Sequence, residues 1–83
     1  MAKVFFTPNS SKLFEKLKDK KLKIKILNAK KILENNPHVG KKLKGEFSGQ
    51  YAIKIWPYRI IYFVDNNKNV IITDIGHRKN VYR

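Results

Sequence analysis

The sequence of 83 residues contains no cysteine, a single methionine and only six acidic residues. Without cysteine there is no disulfide framework, no thiolate zinc site and no cysteine nucleophile. Long hydrophobic runs are missing too. The longest, Ile60–Val64, falls far short of a membrane span. The opening MAKVFFTPNSS, with one lysine and a short apolar patch, is too poor for a signal peptide. The length allows one small core and not two ordinary domains. Hydrophobic residues make up 42% of the chain, too many for a disordered basic tail. The expectation is a soluble, cytoplasmic, single domain over residues 1–83.

What is abundant is positive charge. Nineteen Lys and Arg stand against six Asp and Glu, a formal charge of +13. Such an excess points to an anionic partner, most directly nucleic acid. Sixteen of the basic residues are lysines; the three arginines, Arg59, Arg78 and Arg83, all fall in the last third. A planar guanidinium grips a phosphate through two parallel hydrogen bonds, which an ammonium cannot do. The arginine positions therefore suggest a geometric requirement. Between Lys16 and Lys44 eleven lysines face only Asp19 and Glu34. Lys30, Lys31, Lys41, Lys42 and Lys44 are candidate RNA-binding residues there, making phosphate contacts that position without reading sequence. A merely solvated basic face is the plainer explanation of the same lysines.

The periodicity changes once along the chain. Lys3–Thr7 reads as a first strand, and Thr7-Pro8 as an N-cap with proline at the first helical position. A helix follows through SSKLFEKLK and breaks near Asp19–Lys21. A second helix places Leu22, Ile26, Ala29 and Leu33 on one face and stops at Asn35-Asn36-Pro37. Residues 38–49, with three glycines and three lysines, read as an irregular connection. Strands are expected at Gln50–Trp56, Arg59–Val64 and Val70–Ile75, with Pro57-Tyr58 a turn, 65–69 a hairpin loop and Gly76 a break. Val81-Tyr82 has room for one more strand. The order β-α-α-β-β-β(β) makes an α+β two-layer sandwich, with both helices on one face of a mainly antiparallel sheet.

Alternation turns Ile53, Ile55, Ile60, Tyr62 and Val64 toward the helices and Lys54 and Arg59 away from them. A register slip of one residue would reverse this. Arg78 and Tyr82 follow just beyond the last main strand. Tyr51, Tyr58 and Tyr62 read as packing residues, Trp56 as a core or partner contact, and His38 as a loop residue. Two distant histidines and six acids assemble no metal site.

Three segments, LKGEFSGQYAIKI, YRIIYFV and IGHRKNVYR, resemble the RelE/ParE superfamily of toxins, specifically the RelE-like ribonucleases. The matching positions are Leu43-Lys44-Gly45, Gly49, Tyr58-Arg59, Ile75-Gly76-His77-Arg78 and Val81-Tyr82. The resemblance implies a RelE-like fold and a toxin of a toxin–antitoxin system. It implies an mRNA endoribonuclease of the ribosomal A site that needs no cofactor and no metal. In the chemistry so implied, a ribose 2′-hydroxyl of the mRNA attacks the adjacent phosphate, leaving a 2′,3′-cyclic phosphate and a 5′-hydroxyl. It also implies an acidic, RelB-like antitoxin as partner, besides the 30S subunit and mRNA. On the matched positions Arg59 clamps the phosphate, and Arg78 stabilises charge or protonates the leaving oxygen. Tyr82 stacks on or orients a base, and Lys54 or His77 serves as base. Ala52 departs from the pattern, because some relatives carry a second catalytic lysine there. A gyrase-inhibiting toxin of the ParE branch and a non-catalytic RNA- or ribosome-binding module are the alternatives.

Overall fold

In the computed structural model, which describes residues 2–77, Thr7 caps the first helix as its sequence suggests. Its hydroxyl accepts from the Ser10 N–H at 3.2 Å, and Pro8 opens the helix. Helix α1 spans Pro8–Lys16 and stops two residues earlier than expected, with Leu17 extended. Asp19 then caps α2, Lys20–Asn35, accepting from the Leu22 N–H at 3.2 Å. The cap satisfies an otherwise orphaned donor of the first turn. Leu22, Ile26, Ala29 and Leu33 form the buried stripe of α2, as their spacing predicts.

The described residues form five strands: β1 Val4–Phe6, β2 Lys41–Lys42, β3 Gln50–Ile55, β4 Tyr58–Val64 and β5 Val70–His77. They lie side by side in the order β1-β5-β4-β3-β2. The β1–β5 pair is parallel and the other three are antiparallel. The chain returns from β1 through both helices and three strands before β5 closes beside it. Ile55, Ile60, Tyr62, Val70, Ile72 and Ile75 from the sheet pack against α2, with Phe6, Phe14 and Leu17 at the margin. The expected α+β sandwich is therefore present. Among the described residues no helix is long and apolar enough to cross a membrane.

Three local readings change. The segment 38–49 contains β2 and a short 3-10 turn at Gly45–Phe47. Two lysines are too few to display an alternation, and β2 exists through its pairing with Tyr51 and Ala52. The β3–β4 hairpin turns on Trp56-Pro57 alone, a cis bond, so Tyr58 already belongs to β4. Gly76 does not break β5 but lies within it, opposite Arg59. The additional strand expected at Val81-Tyr82 lies outside the described residues.

One irregularity governs everything beyond it. Ile61 pairs with Asp74, yet Tyr62 pairs with Ile72, so Thr73 is an extra residue in β5. Such a bulge reverses which face each later residue takes. The Thr73 hydroxyl donates to the Ile61 carbonyl at 3.3 Å, and Asn9 of α1 donates to the Thr73 carbonyl at 3.1 Å. Beside it the buried Ser10 hydroxyl donates to the Ile72 carbonyl at 2.6 Å.

Tyr62, fully buried at the centre of the sheet, ties β4 to the start of β2. Its ring stacks on Tyr51 at 5.3 Å, and its oxygen accepts from the Gly40 N–H at 3.0 Å. A Cβ at position 40 would meet that oxygen at 2.7 Å and the Ala52 carbonyl at 2.9 Å, so only glycine fits there. Burial raises the Tyr62 phenol above its ordinary value, partly offset by the Gly40 hydrogen bond. The protonated phenol thus favours the folded state. Its contribution is whole below pH about 10 and is lost as the pH climbs through the raised value of Tyr62. In an alkaline absorbance titration a phenol step should appear above the ordinary tyrosine range. Tyr62→Phe should remove that step; an unchanged titration would contradict the assignment.

Candidate functional site

The β3–β4 hairpin sets the chemistry. Lys54 on β3 pairs directly with Arg59 on β4, and Arg59 with Gly76 on β5. Directly opposed residues share a face. Their row lies one residue away from the row of Ile53 and Ile60, so it faces away from the helices. Glycine at 76 adds no side chain to this row. Lys54 is exposed and Arg59 half-buried.

The outer face is less bare than the sequence suggests. Leu43 and Phe47 of segment 43–47 line one groove of about 310 Å³ together with Lys54 and Arg59 and give it an apolar wall. Ala52, 7% exposed, lines the same groove. Lys41, paired with Ala52, and Lys44, at the N-cap of the 3-10 turn, bring two more cations to the rim. Four positive groups thus surround one concave site with a partly apolar wall. Charges held so close are stabilised by a bound anion, and a low-dielectric wall strengthens that attraction. A phosphodiester with a base or sugar against Leu43 and Phe47 fits both halves.

The remaining candidates divide by position. Lys42 pairs with Tyr51 and so belongs to the opposite face from Lys41. Lys30 and Lys31 lie on α2 beside Leu27 and Glu34, in the helical layer. His77 pairs with Tyr58, in the row of Ile55, and its ring meets Tyr58 edge-on at 5.8 Å. It lines a groove with Leu13, Lys16 and Leu17 of the α1 region. His77 therefore faces the helix side, away from Arg59. Counting alternately along β5 from Val70 puts it on the outer face; the extra Thr73 turns it over. Arg78 and Tyr82 lie outside the described residues. Trp56 is 64% exposed at the hairpin tip and is no part of the core. Leu43 and Phe47 are site residues that the sequence pattern did not single out. The Leu43-Lys44-Gly45 stretch was the available signal.

Known proteins share this fold. The family model described as "ParE toxin of type II toxin-antitoxin system, parDE" matches residues 4–82. The toxin candidate RelE4 of Methanocaldococcus jannaschii is 30% identical over 87 residues, spanning 100% of this chain and 93% of the relative. A chain of the toxin–antitoxin complex RelBE2 from Mycobacterium tuberculosis superposes with a TM-score of 0.82 at 26% identity. That match covers 93% of this chain and 98% of the other. The isolated E. coli RelE toxin has the same fold, with a TM-score of 0.82 at 21% identity over 99% of this chain and 89% of that one. So does a chain of the RelB–RelE complex from Methanococcus jannaschii, with a TM-score of 0.75 at 23% identity over 94% of each.

Proposed function

This chain belongs to the RelE/ParE superfamily of toxins of type II toxin–antitoxin systems, and from that premise we propose that it is an endoribonuclease cleaving mRNA in the ribosomal A site. The observation that carries this reading is the cross-strand Lys54–Arg59 pair in one groove with Lys41 and Lys44. Cleavage needs the 2′-hydroxyl to lose its proton and bond to the adjacent phosphorus. The bond to the 5′-oxygen then breaks, leaving a 2′,3′-cyclic phosphate, and that oxygen takes up a proton. Negative charge grows on the non-bridging oxygens as the new bond forms. Fixed cations that meet this growing charge lower the barrier more than they stabilise the substrate.

Arg59 is assigned the phosphate, where its two parallel donors match two phosphate oxygens. Lys54, its direct neighbour, takes the place of base or electrostatic partner at the 2′-oxygen. His77 faces the helix side, so base duty falls to Lys54. Arg78 and Tyr82 keep the roles that the resemblance implies, charge stabilisation at the leaving oxygen and stacking on a base. Lys41 and Lys44 hold the flanking backbone. Lys30, Lys31 and Lys42 serve ribosomal RNA from other surfaces. The substrate places the protein in the cytoplasm. Its partner is an acidic antitoxin of the RelB type, in keeping with the toxin–antitoxin complexes to which the fold is similar.

Mapping mRNA 5′ ends by primer extension after induction tests this, with Arg78→Ala alongside. Cuts within translated codons that vanish in the variant are the expected result. A second reading, gyrase inhibition, is favoured by the family model that matches, which is that of a ParE toxin. Growth arrest with DNA damage and no mRNA cuts would establish it in place of cleavage.

A further inference from the structure

The outer sheet face carries a feature that the cation groove does not account for. Phe5, Ile71 and Phe63 are direct partners across β1, β5 and β4. Ile72 and Tyr62, their neighbours along the strands, are fully buried toward the helices, so this row faces outward with Ile61 and Arg59. Phe5 is 48% exposed, and Ile71 and Phe63 are half-buried. Four residues of strand separate Phe63 from Arg59, about 13 Å. The Phe5 and Phe63 positions are two strands apart, about 10 Å. At the far end stands exposed Lys3, whose carbonyl accepts from the Val70 N–H at 2.8 Å and so continues the line of β1.

Two aromatic rings of the outer face thus lie beyond the cluster of Lys41, Lys44, Lys54 and Arg59, with Ile61, 5% exposed, and its direct partner Asp74 between them and Arg59. A second copy of a chain carrying +13 would be repelled from this face. A polyanion with flat apolar groups is complementary to it. Single-stranded RNA has that chemistry, since every base presents a π-face while the backbone reaches for cations. We propose that Phe5 and Phe63 form a base-stacking platform for single-stranded RNA that leaves the Lys54–Arg59 groove and crosses the sheet. Only the naming of that RNA as the substrate rests on the ribonuclease reading; the stacking requires none of the cleavage chemistry.

Fluorescence anisotropy compares two labelled RNA strands of about eight nucleotides, within the range one such site spans. One carries bases and the other is abasic with the same number of phosphates. The protein should prefer the base-bearing strand by roughly 10-fold. Phe5→Leu with Phe63→Leu keeps apolar volume and should lose most of that preference, with affinity for the abasic strand unchanged. Phe5→Trp with Phe63→Trp should retain it. Lys44→Ala, a backbone contact, should weaken both strands alike. Melting curves establish that each variant folds, and Phe5→Leu alone, on the exposed edge strand, serves if the pair does not. Equal binding of the two strands by the unaltered protein, or a preference that survives in the leucine variant, overturns the proposal. So does a leucine variant that binds RNA normally but no longer forms its antitoxin complex, which would make the face a protein-docking surface. Ribosomal cleavage is assayed separately. A base preference without cleavage sinks the nuclease reading and leaves the platform standing, whereas cleavage without a base preference does the reverse.

Discussion

Arg59→Ala should lower mRNA cleavage on programmed ribosomes by about 10²–10³-fold, the usual loss when one preorganised donor to a transition state is removed. The fold should survive the change. Arg59 is half-buried on the outer face, and its neighbour Ile60 supplies the packing. Its row contains Lys54 and Gly76, neither of which is in the core cluster. Arg59→Lys separates charge from geometry. An ammonium restores the positive charge but offers no planar fork for two phosphate oxygens, so it should recover only part of the rate. Single-turnover cleavage by the two variants, with melting curves as the folding control, decides the matter. A wild-type rate in Arg59→Ala would remove this residue from the chemistry. Full rescue by lysine would leave charge alone as its contribution.

Ile26→Ala should cost about 2–5 kcal/mol of folding stability. Ile26 is fully buried, and in α2 it meets the sheet residues of the core. Removing its outer carbons forfeits their burial and leaves a cavity that surrounding side chains fill only in part. Small domains are stabilised by about 5–15 kcal/mol in total, and each kcal/mol is worth about 4–8 °C of melting temperature at this size. The variant should therefore melt lower by about 8 °C or more. The same helix supplies its own control. Ile24 is 58% exposed and Ile32 53%, so either change to Ala should shift stability by no more than about 0.5 kcal/mol. Calorimetry on the three variants measures the contrast. Equal losses at positions 26 and 32 would mean that α2 does not pack by the face assigned to it.

Local signals made most of the elements legible. Thr7-Pro8 and Asp19 mark helix starts because their side chains bond to amides only a few residues ahead. The α2 stripe and the alternation of Gln50–Val64 are visible because a helix and a strand repeat within a few residues. That alternation by itself also turns Lys54 and Arg59 outward. β2 was illegible, since Lys41-Lys42 becomes a strand only by bonding to Tyr51 and Ala52. The wall formed by Leu43 and Phe47 was hidden for the same reason: its partner, the hairpin face, is remote along the chain.

His77 illustrates the limit most clearly. Its chemistry and its place beside Arg78 recommended it as a base, yet the bulge at Thr73 turns it to the helix side. Nothing in the residues around Thr73 announces an insertion. It is held by a carbonyl of β4 and by Asn9 of α1, both distant in sequence. By itself the sequence determined the classes of element, the buried stripes and the outward pairing of Lys54 with Arg59, because each depends on a periodicity of neighbouring residues. Only the tertiary structure decided which face His77 takes, that Lys41 and Lys44 reach the groove, and that Phe5 aligns with Phe63. Those outcomes depend on inter-strand register, and register is set by hydrogen bonds between segments far apart along the chain.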